Sequence, residues 1–513
     1  MSTESTAPLP GTTATTQTAV APAATGLRPN AIGLLGVLIQ SVALIGPGVA
    51  VAFAFGPGIT YAGGSFPLAI ALAMGVALLL AVSIGQLAIH LPSAGGFYTY
   101  ISRGLGRDIG FLAGWISIPA YLLFLPLNLL AFGYAGYNFS GLPWFAWAIP
   151  LAVIMGLLAL FGVRLSIRTL VVLGVIEVAV FTVLSILLIV NAKGNNTLLA
   201  FTPATWAHGR GGVSGVLVGA VIGVLSFAGF ESAALLAEES KNPRRIIQPV
   251  LLLAVVVMGA FFVLASYAGL VGYNFNIGTV TDTHSYLGAP GTPWFTLGEQ
   301  VWGKTGMYVV GLVLLESLAA NVAAGFTALS RVVYAMGRSG ALPSAFGRTN
   351  RRFRTPTLAL LLTIPVTIGI ALWSATVYGA PPNSFYVIVD AAAYCVLSIY
   401  AVVSLATPAY FLRQRRSDFH LIPHLVIPVA AALLLIVVLA AQLLTATTPT
   451  NYPGILPQYL GLIVAGGWLV LGILWLLALR VRKPEALAAG ERIYVDTPQE
   501  EAVAATTTTG AHA

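Results

Sequence analysis

Runs of apolar residues long enough to cross a bilayer recur along the whole chain, and no other feature restricts its fold so tightly. They lie near residues 32–56, 66–90, 110–137, 143–162, 169–191, 213–237, 247–272, 305–330, 356–376, 384–411, 423–445 and 457–480. A spanning helix needs about 20 such residues. Strands of a membrane barrel would alternate apolar with polar, and these runs do not. Of the 513 residues, 58% are hydrophobic and 8% charged, too little charge to cover a soluble surface. Typical soluble domains carry about 25%. The expected fold class is therefore an all-α integral membrane protein of about twelve transmembrane helices.

The charge distribution sets the expected topology. With the N-terminus cytoplasmic, 21 of the 24 Lys and Arg residues fall on cytoplasmic segments, leaving Lys193, Arg210 and Lys304 opposite. That asymmetry follows the positive-inside rule and places both termini inside a cytoplasmic membrane. The net charge of +8 thus reads as topology and headgroup contact, not as nucleic-acid binding. Arg338 to Arg354 and Lys241 to Arg245 are topology determinants on this reading, with anionic lipid as the other partner they could meet. Residues 1–28, rich in Ala, Thr and Pro, lack the pattern of a secretory signal and are expected as a disordered cytoplasmic tail. Residues 29–483 would form the membrane domain and 484–513 a cytoplasmic C-terminal tail. Arg outnumbers Lys and Ala is abundant, a bias that fits a GC-rich bacterial genome. The lone Cys395 leaves no disulfide framework or thiolate metal site, and no cofactor is implied. Pro423 separates His420 from His424, with no further ligand near, so no metal site is expected there.

Two spans are interrupted. Span one carries Gly46-Pro47-Gly48, where Pro47 would remove the hydrogen bond to the Ala43 carbonyl and clash with it, costing ~3 kcal/mol in a helix interior. Span six carries Gly229 in mid-run, with Ser226, Glu231 and Ser232 around it. Glycine alone can serve only close helix packing. Breaks at corresponding places in two five-span halves are, together, the pointer to a transporter with a midplane site. Freed N–H groups there attract anions and freed carbonyls attract cations.

Four stretches, LIGPGVAV, LPSAGGFYTYISRGLGRDIGFLAGW, SFAGFESAALLAEESKNPRRIIQP and ALSRVVYAMGRSGALP, resemble the amino acid-polyamine-organocation (APC) superfamily of permeases. The resemblance implies inverted five-helix repeats, spans one to five and six to ten, with spans one and six broken, plus two peripheral helices. It further implies alternating access. Gly46, Pro47 and Gly48 would match the motif whose amides hold a substrate carboxylate. Ser226, Phe227, Ala228 and Gly229 would match the span-six segment whose carbonyls take the amino group. Pro47 departs from the usual Gly-Ser-Gly and lacks an N–H and a hydroxyl. That leaves open how a carboxylate is held and whether the substrate has one.

Glu177, Glu231, Glu316 and Asp390 lie inside the expected spans, where no Lys or Arg sits deep. An ionised acid there costs ~2.5–3.5 kcal/mol on insertion scales, so each is a functional candidate. Glu231, one turn beyond the break, resembles an acid of some basic-amino-acid exchangers and is the first candidate for proton coupling. A vestibule or a helix–helix hydrogen bond is its structural alternative. Glu177 falls where some relatives place a proton-binding lysine behind span one, and it could equally be a strut. Glu316 and Asp390 read as structural. Sodium-driven relatives pair hydroxyl residues on span eight, where this chain has SLAAN, so a proton is the favoured coupling ion. Phe53, Phe55, Tyr121, Phe227, Phe230 and Tyr400 could pack, gate or line a pocket, and Phe227 sits in the break itself.

The expected function is secondary active transport of an amino acid or related small amine. A polyamine or ethanolamine-type carrier, or an exchanger, is the alternative within that class. An ion channel is the alternative outside it, although neither a repeated carbonyl filter nor an acidic ring stands out. Enzyme chemistry is not expected: the six histidines are scattered, and no phosphate-binding Gly-rich Lys-Ser/Thr loop occurs.

Overall fold

Apolar sequence becomes helix here because a backbone without water must satisfy its own N–H and C=O groups. The computed structural model describes residues 26–192, 194–276, 292–381, 383–446 and 457–492. Those residues are helical or irregular, with only isolated bridges such as Ile32 to Ser240. Among them, nine helices are long and apolar enough to span a bilayer. Shorter apolar helices at Trp144–Leu160, Gly174–Val190 and Gly212–Leu225 supply spans four, five and six. Twelve expected spans thus find their helices.

Burial separates a centre from a rim. In spans one and eight 72% and 78% of the most apolar window is buried, against 17% in span twelve. Spans eleven and twelve present Leu433, Val437, Leu474 and Leu477 outward, as helices facing lipid do. They are the two peripheral helices.

Several boundaries differ from the sequence expectation. Span eight was expected to stop at 330, before Arg331, but the helix continues from Lys304 to Ser339. Nothing in that stretch breaks a helix until Gly340, whose φ of 84° gives it the left-handed cap. Arg331 therefore rides on span eight, 1% exposed, and does not lie on a loop. Short helices at Phe97–Leu105 and Thr292–Trp302 connect spans. The tail expected from 484 begins as a helix, Pro484–Ala489, with Ala486 and Leu487 buried. At the other end, Leu27 is buried and the Gly26 N–H donates to Thr349, which pins residues 26–28 of the expected N-terminal tail. The rest of both expected tails, 1–25 and 493–513, lies outside the described residues, as does Lys193.

Candidate functional site

Span one runs as a helix from Leu34 to Ile45 and turns at Gly46, which has φ 66° and ψ 76°. The disruption belongs to Gly46, since Pro47 heads the next helical turn. At that first position proline's missing N–H has no intrahelical partner to lose. A π-helical segment, Ala50–Ala54, follows before the helix resumes.

The groups freed by this break are met by side chains from other spans. The Gly46 N–H returns to the Val42 carbonyl at 3.0 Å, and Pro47 has none. The Gly48 N–H donates to Oε1 of Glu177 on span five, and the Ser317 hydroxyl of span eight donates to the same oxygen. Glu177 is 1% exposed. The freed Leu44 carbonyl accepts from Asn321 Nδ2 at 2.8 Å. Both glycines are packed tightly: a Cβ on Gly46 would lie 2.6 Å from Asn321 Nδ2, and one on Gly48 3.1 Å from Ser317 Oγ.

Span six ends its first helix at Leu225 and crosses its break in tight turns. The N–H groups of Ser226, Phe227 and Ala228 each reach back three residues, at 3.0 to 3.1 Å. Gly229, with φ 110°, donates to Glu231 Oε2 at 2.9 Å. The Glu231 carboxylate also accepts from the Tyr121 hydroxyl at 3.0 Å and the Tyr400 hydroxyl at 2.5 Å. Three donors from spans three, six and ten thus converge on one buried acid. The two breaks abut: a Cβ on Gly229 would lie 2.7 Å from the Leu44 carbonyl, and Ser41 Oγ donates to the Phe230 carbonyl at 2.6 Å.

A cavity opens beside this junction, bounded by Val49 and Phe53 of span one, Phe124 and Asn128 of span three, Ser226 and Ala228 of span six, Asn321 of span eight and Phe385 of span ten. Its empty volume, mouth included, is about 590 Å³. The side chains around it are apolar apart from Asn128, Ser226 and Asn321. Of the residues expected to bind substrate, the structure brings Ser226 and Ala228 to this cavity. Gly46, Pro47 and Gly48 are not among its lining residues, while Gly229 packs on span one. Phe227 packs edge-on against Phe262 with ring centroids 5.4 Å apart. Phe53 lines the cavity, whereas Phe55 packs against Phe66 and Phe262, and Phe230 against Tyr400. Asn128 was missed from sequence, although a lone amide inside the apolar run PLNLLAF was the signal available.

Asp390 accepts from Gln442 Nε2 at 2.9 Å and ties span ten to span eleven. Glu316, by contrast, buries both carboxylate oxygens with no hydrogen-bond partner among the described residues. Toward the Ser339 end of span eight, Arg331 makes a two-pronged pair with Glu239 at 3.0 and 3.1 Å. Arg338 does the same with Glu238, at 2.8 and 2.6 Å. Arg331 lies toward the end of the span-eight helix, beyond the bound of 330 expected for that span. The Ala31 N–H donates to the Glu239 carbonyl at 2.8 Å, which draws the start of span one into the same cluster. Among the described residues no cluster of His, Cys, Asp and Glu could hold a metal ion.

Comparison with known proteins bears on this architecture. The family described as "Amino acid permease" matches residues 36–487. The chain is 30% identical over 306 residues to the low-affinity putrescine importer PlaP of Escherichia coli, an alignment covering 58% of this chain and 65% of that protein. The match therefore spans less than two thirds of the importer. A branched-chain amino acid permease of Bacillus subtilis, BcaP, is 25% identical, over 62% of this chain and 69% of its own. A probable GABA permease of Pseudomonas aeruginosa is 26% identical, over 77% and 80%. In fold, the chain resembles the manganese transporter of Eremococcus coleocola, with a TM-score of 0.53 at 13% identity over 89% of this chain and 95% of that one.

Proposed function

The chain belongs to the amino acid permease family, and from that premise we propose that it is a secondary carrier moving an amino acid or related small amine across the cytoplasmic membrane by alternating access, with a proton as the coupling ion. The observation that carries this reading is a cavity set against two abutting helix breaks, with a buried carboxylate bonded to one of them. Broken helices around a midplane cavity give a carrier a binding site that two bundles can share. The substrates for which these relatives are named, putrescine, branched-chain amino acids and GABA, all carry an amino group.

Of the two coupling candidates, Glu177 has the better placed carboxylate. It receives bonds from the break in span one and from span eight, so loading it with a proton would change contacts on both. Glu231 holds the turn of span six through Tyr121, Tyr400 and Gly229, a positioning role. Sodium is disfavoured because Ser317 is committed to Glu177, and the Leu44 carbonyl already has an amide donor. Both termini are assigned to the cytoplasm on the charge asymmetry. The Arg331–Glu239 and Arg338–Glu238 pairs then close the cytoplasmic end, and the cavity lies on the outer side of the break, since Val49 and Phe53 follow it.

Uptake of labelled amino acids and amines into sodium-free proteoliposomes, with and without an inward proton gradient, tests the reading. Saturable accumulation that collapses with a protonophore is expected. Exchange against preloaded substrate without net accumulation would replace symport by exchange, and non-saturating flux would favour a channel.

A further inference from the structure

The amide of Asn128 is oriented by its own hydrogen bonds. Its NH₂ group donates to the Phe124 carbonyl at 2.6 Å and to Asn321 Oδ1 at 2.9 Å, which uses both hydrogens. Asn321 in turn donates to the Leu44 carbonyl at 2.8 Å, so a directed chain runs from span three through span eight to the break in span one. Reversing the Asn128 amide would set an oxygen against the Phe124 carbonyl oxygen and against the accepting oxygen of Asn321. Its Oδ1 is therefore held as an acceptor, buried and without a hydrogen-bond partner among the described residues, on a residue that is 1% exposed and lines the cavity. Ser226 Oγ, on the same lining, is likewise buried and unpartnered. A buried acceptor left unmade carries a desolvation penalty that a ligand donor removes.

The break does not offer the complementary anion site. Gly46 donates to Val42, Pro47 has no N–H, and Gly48 donates to Glu177. Lys and Arg are absent from the lining, whose remaining surface is aromatic and aliphatic. We propose that Asn128 is a specificity-determining residue whose Oδ1 takes an N–H of a substrate ammonium group. The cavity accordingly selects an aliphatic cation by its amine and carbon chain, without a carboxylate contact at Gly46 to Gly48. This inference rests on the carrier reading and names the substrate class of the same cavity.

Competition for uptake in proteoliposomes containing the full chain tests it with two matched pairs: 1,4-diaminobutane against 4-aminobutanoate, and 3-methylbutylamine against leucine. In each pair the amine is expected to compete at least tenfold better than its carboxylate-bearing counterpart. Asn128→Leu is expected to weaken the amine at least tenfold. If Asn128→Leu does not fold, Asn128→Ala decides, and unchanged amine competition there overturns the proposal. Amino acids competing as well as the amines, with Asn128→Leu unaffected, would sink this inference while leaving the carrier reading intact. Failure of any tested compound to be taken up or to compete would remove both.

Discussion

The backbone N–H of Gly48 donates to the carboxylate of Glu177, fastening the break in span one to span five. Ser317 shares the same oxygen, so a neutral amide in place of the acid would weaken the acceptor at both contacts. Hydrogen bonds to a charged group contribute about 1.5–3 kcal/mol, more than neutral ones. Glu177→Gln is expected to reduce gradient-driven accumulation at least tenfold while exchange of preloaded substrate continues. Its uptake should also lose the dependence on external pH expected of the wild type. Retained accumulation with wild-type pH dependence would assign coupling elsewhere.

Glu231 makes the contrasting case. Tyr121, Tyr400 and the Gly229 N–H all end on its carboxylate, and deleting one hydroxyl leaves a buried acceptor short of a donor. Tyr400→Phe is expected to lower stability by about 1–3 kcal/mol and to weaken substrate affinity through the span-six turn. Proton-gradient stimulation should persist in Glu231→Gln at reduced affinity. Loss of stimulation there, with stimulation kept in Glu177→Gln, would reverse the two roles.

How much of this was legible in the sequence differs from residue to residue. Gly46 and Gly229 announced the breaks because a local conformational need leaves a local mark. The partner of the Gly48 amide left no local mark: Glu177 is 129 positions away, and only the family resemblance suggested a place for it behind span one. Arg331 was misplaced for the opposite reason. Hydropathy ends a span at its first charge, but this charge is neutralised by Glu239, 92 positions away, and the helix continues to the glycine that can cap it.

Gly229→Ala is expected to be among the most damaging single-methyl changes in the chain. Its φ of 110° is a conformation that side-chain-bearing residues rarely adopt, at a cost of about 1–3 kcal/mol. The added Cβ would also lie 2.7 Å from the Leu44 carbonyl carbon and oxygen, which are backbone and cannot swing away. Thermal unfolding and uptake should both suffer. Pro47→Ser is the control at the other break: proline at a helix start can be replaced with a stability change of about 0.4–1 kcal/mol. A large loss of folding in the serine variant would contradict the account of Pro47 as the first residue of a turn.

The Arg331–Glu239 pair yields a prediction about the closed end of the protein. Both side chains are 1% exposed and meet in a two-pronged bond, with Ser330 Oγ taking a further guanidinium N–H at 2.9 Å. Removing one partner strands a buried charge, at a cost of roughly 3–5 kcal/mol, whereas replacing both by apolar groups of similar volume is often neutral. Arg331→Met alone and Glu239→Leu alone are each expected to lower the unfolding temperature clearly. The double variant should recover much of that loss, a coupling read from a double-mutant cycle. Uptake should part company with stability: the double variant keeps only the Arg338–Glu238 pair of the ionic closure between span eight and the end of span six, so substrate should leak down its gradient when no coupling ion is supplied. Tight, gradient-dependent uptake in a stable double variant would show that the pair holds the fold together without acting as a gate.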